Sequence, residues 1–179
     1  MRASIAGLTA AGLMIAASAA AAQATSAGRH HSRETAVGAV RQATNRFHNL
    51  QRAQNAGYGF FTDAKGIACI ATPHMGGMGV HFVNGSLVGD PAERVRHPEA
   101  MVYRVDRNGM LRLSAVEYVV LASAWKANHH SPPTLFGHRF QFTKAPNRYG
   151  LPDFYSLHAW VWYHNPAGQF AMWNPRVNC

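Results

Sequence analysis

Three residues far apart in the chain, His81, Glu117 and His158, are of the types that hold a divalent transition metal. Two imidazoles and one carboxylate suit Fe(II) and also serve Zn(II) or Mn(II). Glu117 is singled out by its neighbours. Along the run MLRLSAVEYVVLA (110–122), strand alternation places Leu111, Leu113, Ala115, Glu117, Val119 and Leu121 on one face. A carboxylate among such residues is costly unless protonated, paired or bound to a metal. His81 follows the glycine-rich HMGGMG (74–79), where a ligand can approach the backbone closely. His158 lies in SLHAWVWYHNP (156–166), whose alternation groups His158 with Trp160, Trp162 and His164. Trp160 and Trp162 are therefore expected as the aromatic wall of a pocket. His158 and His164 stand about 20 Å apart along an extended strand, so at most one belongs to any one site. The same three residues could equally build a polar pocket without metal, or a purely structural hydrogen-bond network.

Other candidates rank lower. His30 and His31 would make a weak surface site, and His74, His129 and His130 fall in loops. Met75 and Met78 carry thioethers of the kind Cu(I) favours, but two methionines in a glycine turn usually fill space. GGMG lacks the Gly-Lys-Ser/Thr ending of a phosphate loop, and no GxSxG is present to seat a serine nucleophile.

The elements expected to position these residues form an α+β fold: an N-terminal helix packed on a mostly antiparallel sheet, open or curled into a half-barrel. Val37, Val40, Phe47 and Leu50 recur at helical spacing in 34–59, with Ser32 as N-cap and Gly57 as C-terminal cap. ACIAT (68–72), VHFV (80–83), HRFQF (138–142) and the 156–164 run read as strands. Residues 97–122 read as a hairpin turning at Asn108-Gly109.

The chain opens with Arg2, an Ala/Leu/Ile/Met stretch and small residues up to Gln23, the shape of a secretory signal peptide cleaved near Ala22. The apolar part is short for a membrane anchor, which needs roughly 20 residues. The expected organisation is thus a signal peptide (1–22), a solvated leader (23–34) and one domain (35–179), periplasmic or secreted. Two cysteines, Cys69 and Cys179, favour a disulfide in an exported chain; two free thiols are the alternative. The formal charge of +9 comes from scattered arginines and lysines without a nucleic-acid motif, which argues for a solvated basic surface and against nucleic acid as partner.

The stretches GGMGVHFVN, HPEAMVYRVDRNGMLRLSAVEYVV, PTLFG and LHAWVWYHNPAGQFAMWNPRVNC together resemble a family of exported bacterial proteins of unknown function. In it, GMG-H-hydrophobic-N, PEAL-Y…VEY and LHVW…NP…NP-V-C motifs recur in this order. The resemblance covers roughly residues 56–179. It implies the Cys69–Cys179 pairing, draws attention to His81, Glu117 and His158, and carries no activity. The function expected is a small-ligand or divalent-metal binding module with an aromatic-lined pocket. The alternatives are a metal-dependent hydrolase or oxygenase, and a structural envelope protein without metal. Ligand identity and oligomeric state are not legible in the sequence.

Overall fold

The computed structural model describes the backbone from Leu13 to Cys179 and the side chains from Ser26 onward. The first twelve residues of the expected signal peptide therefore lie outside the described residues. Helix α1 (Leu13–Thr44) is followed by a 3-10 turn (Asn45–His48) and α2 (Leu50–Asn55). Residues 23–34, expected as a leader, continue α1, and Ser32 sits inside the helix with its hydroxyl on the Gly28 carbonyl. The cap at the break is instead Asn49, whose side chain accepts from the Arg52 N–H. Gly57 ends α2 as expected: its φ is 90°, and Tyr58 N–H returns to the Ala53 carbonyl.

The strands are β1 (Gly59–Phe60), β2 (Cys69–Thr72), β3 (Gly76–Val83), β4 (Ala100–Val105), β5 (Leu111–Leu121), β6 (Thr134–Leu135), β7 (His138–Arg139), β8 (Gln141–Thr143) and β9 (Phe154–Ala159). Short helices α3 (Gly85–Val88) and α4 (Ala122–Lys126) punctuate them. Among the described residues, seven strands form an open antiparallel sheet in the order β1-β3-β4-β5-β9-β8, with β2 also on β3; β6 and β7 pair separately. The fold class is α+β, as the sequence implied.

The sheet has two unlike faces. On one, Val80, Phe82, Met101, Tyr103, Val116, Tyr118 and Val120 pack with Val37, Val40 and Phe47 into the main core. Three buried tyrosines of this side are tied to backbone carbonyls: Tyr58 to Pro98, Tyr103 to Phe47 and Tyr118 to Val95. On the other face a much smaller cluster joins Val102, Ala115, Trp160 and Val177. That second face carries the candidate site.

Three local departures from simple alternation matter. In β5, Val102 pairs with Ala115 and Tyr103 with Leu113, leaving Ser114 as the extra residue of a bulge. The shared face read from sequence therefore holds for Ala115, Glu117, Val119 and Leu121, while Leu113 crosses to the main core. In β9, pairing stops at Ala159 rather than running to His164. The Ser114 carbonyl accepts the N–H groups of Trp162 and Tyr163, both at 3.0 Å, and draws the chain off the strand path. The glycine-rich approach to His81 turns only at residues 73–75, and from Gly76 onward it is strand. A Cβ on Gly77 would stand 2.8 Å from Cys179 Sγ, and one on Gly79 would stand 2.8 Å from the Tyr103 carbonyl oxygen. Glycine is required at 77 because the C-terminal segment crosses this strand closely, and at 79 because β4 does and the backbone there has φ 99°. Cys69 and Cys179 form the disulfide that holds it down. Among the described residues no helix is long and apolar enough to cross a membrane.

Candidate metal centre

His81, Glu117 and His158 come together. Each offers one ligand atom, and the three atoms lie within 4.8 Å of one another. The sheet register explains how. Glu117 on β5 pairs directly with His158 on β9. His81 on β3 must reach across β4, where its register partner is Val102 and Glu117's is Ala100. Ala100 presents a single methyl group between them, and that small side chain leaves His81 room to lean over. His81 Nε2 then stands 3.1 Å from Glu117 Oε2.

All three residues are buried, none more than 8 % exposed. His158 has no hydrogen-bond partner at either ring nitrogen. His81 Nε2, though within ion-pair reach of Glu117, lacks an aligned hydrogen bond. Orphaned buried nitrogens are uncommon, since leaving a buried polar group unpaired costs on the order of 1–3 kcal/mol. Burial is the largest influence on Glu117 and pulls its carboxyl up. The neighbouring His81 and His158, with Ser156, outweigh it and hold the carboxyl below its usual range. Burial drives His158 down to about 4, against the upward pull of Glu117, so near neutral pH the ring is uncharged with a lone pair exposed.

The ligand atoms of a tetrahedral ion with bonds of about 2.1 Å stand roughly 3.4 Å apart. The Glu117–His81 pair already meets that spacing, and closing the wider gaps asks for side-chain shifts of about 1 Å.

The trio lies between a plug and a cavity. On one side, toward residues 79, 115 and 160 of the three strands, Trp160 packs with Val102, Ala115 and Val177. Its ring stacks on His158 at 4.7 Å, and its indole N–H donates to the Ala171 carbonyl at 2.7 Å. On the other side, toward Val83, Val119 and Ser156, lies a cavity of about 290 Å³. His81 and Glu117 form part of its lining, with Phe61, Val88, Tyr149, Leu151, Phe154 and Met172 among the rest. The Tyr149 hydroxyl meets Met78 Sδ at 3.7 Å. Burial, with the nearby Glu117 charge, pushes Tyr149 up to about 12.

The tryptophans thus do not wall this cavity. Trp160 backs His158 from behind. Trp162, turned over where β9 ends, packs against the main core, with its N–H on the Thr44 hydroxyl and its ring edge-on to His48. Both border a separate shallow depression with Arg41 and Gln169. His164 is exposed. Of the lesser candidates, His30 and His31 are exposed on α1, and His129 stacks on Trp125. Met75 is exposed while Met78 is buried, so they offer no shared site.

Part of the cavity could have been found from the trio itself. Val83, Val119, Ser156 and Phe154 lie two or four residues along from His81, Glu117 and His158, and alternation puts them on the same face. Phe61, Tyr149, Leu151 and Met172 come from loops and carry no such signal. Comparison with protein-family models, with curated proteins and with solved structures found no match to this chain.

Proposed function

We propose that this is an exported protein that holds one divalent transition metal between His81, Glu117 and His158 and offers the adjoining cavity to a small ligand. The observation that carries the reading is the set of three buried ligand atoms within 4.8 Å, in which His158 has neither nitrogen bonded. A metal would use those lone pairs and balance the Glu117 charge. Three protein ligands leave at least one coordination position open, the arrangement of a reactive or ligand-exchanging centre rather than a closed structural one. Export is supported by the Arg2-led apolar start, by the Cys69–Cys179 disulfide and by the resemblance to exported bacterial proteins.

The test is elemental analysis of the mature chain, purified without a histidine tag from an oxidising compartment. About one equivalent of Fe, Zn or Mn is expected, lost in both His81→Ala and Glu117→Gln with the fold retained. Equal metal content in parent and variants would remove these residues from any metal site. No metal in the parent, with no change in melting temperature on adding these ions, would leave the trio a metal-free polar cluster.

A further inference from the structure

The cavity beside the trio constrains what the open coordination position would receive. It measures about 290 Å³, room for roughly ten water molecules at about 30 Å³ each, or a ligand of about that many non-hydrogen atoms. Its walls are mainly aliphatic and aromatic, and among the described residues no lysine or arginine lines it. The charge balance is narrow. A dication with one carboxylate and two neutral imidazoles keeps one net positive charge in an apolar setting, where uncompensated charge is expensive. A monoanion brings the centre to zero. A phosphate dianion overshoots, with no cation on the walls to meet it, and a neutral ligand leaves the charge standing.

We infer that the cavity takes a small monocarboxylic acid with an apolar chain or ring, its carboxylate on the metal and its hydrocarbon part between Phe61, Val83, Val88, Val119, Leu151 and Phe154. This rests on the metal-binding reading above. Direction supports it: Val83, Val119 and Ser156 lie two residues from His81, Glu117 and His158 on the cavity side, while Trp160 and Val177 fill the opposite side. A ligand on the metal can extend only toward the apolar walls.

The test uses the full chain loaded with Co(II), with the bound metal measured first by equilibrium dialysis. Acetate and hexanoate are then titrated while the visible d–d absorption is followed. Four added methylenes, each worth about three- to fourfold, predict that hexanoate acts at roughly a hundredfold lower concentration than acetate. Val88→Phe, at a half-buried position on α3, narrows the cavity; it should reduce that advantage to below tenfold, with its bound Co(II) measured in the same dialysis. Equal responses to the two acids, or none, in protein that holds Co(II) would overturn the inference and leave the metal centre standing. Absence of bound Co(II) in the dialysis would overturn both.

Discussion

Glu99, which is not one of the three candidate ligands, supplies a sharp test of the electrostatics. The residue is 4 % exposed, and its Oε2 accepts the Val119 N–H at 3.0 Å. Burial pushes the carboxyl from an ordinary 4.5 up to about 8; the Val119 N–H pulls it back, and Glu93 and Asp90 add to the rise. The native state therefore holds a proton at neutral pH that the unfolded chain has lost. Stability from this group is complete below pH 4.5 and declines as pH rises toward 8. It levels off once the native carboxyl also ionises. At about 1.4 kcal/mol per pH unit, the whole decline amounts to roughly 5 kcal/mol, of which about 3 is spent by pH 7. Glu99→Gln keeps an oxygen for the Val119 N–H and removes the titration. Its stability should match the parent's within about 1 kcal/mol at pH 4.5 and exceed it by several kcal/mol at pH 8. Urea denaturation of both proteins, disulfide intact, from pH 4.5 to 8.5 measures the difference directly. Parallel curves across that range would refute the argument, because they would mean that Glu99 ionises alike in the folded and unfolded states.

Two further expectations concern the C-terminal segment. Replacing both Cys69 and Cys179 by Ala opens a cross-link spanning 110 residues and should cost ~4–5 kcal/mol by the chain-entropy argument, read from the urea midpoint. Gly77→Ala puts a methyl 2.8 Å from Cys179 Sγ and 2.9 Å from Val177 Cγ1, so it should destabilise by about 1–3 kcal/mol. An unchanged melting temperature in Gly77→Ala would show that the segment can step aside freely.

What could be read from sequence divides along physical lines. Alternation is local, so it identified Glu117 as a carboxylate on an apolar face and gave the hairpin through Asn108-Gly109, where Gly109 has φ 77°. It failed where a distant group intervenes. The bulge at Ser114 exists together with the two N–H groups that its carbonyl receives from Trp162 and Tyr163, nearly fifty residues later. Neither Ser114 nor Trp162 bears a local mark of that exchange, and so alternation puts Trp162 on the face opposite to the one it takes. The convergence of His81 with the other two depends on strand order and on Ala100, and both are properties of the assembled sheet. The helix break at Asn45–His48 contains neither glycine nor proline, so the periodic pattern reads straight through it.

The unequal division of the core between the two sheet faces bears on how this protein can change. Most apolar packing sits with α1 and α2, on the face that does not meet the cavity. Val83, Val119 and Phe154 can therefore be exchanged for residues of other size or polarity at a cost charged mainly to the smaller face. Selection, natural or in the laboratory, can retune what the cavity admits while the other side of the same strands keeps the chain folded. Ala100 is the exception. It is the β4 partner of Glu117 and lines the cavity together with His81 and Glu117, so a longer side chain there is expected to crowd the candidate ligands where a change in the outer walls is not.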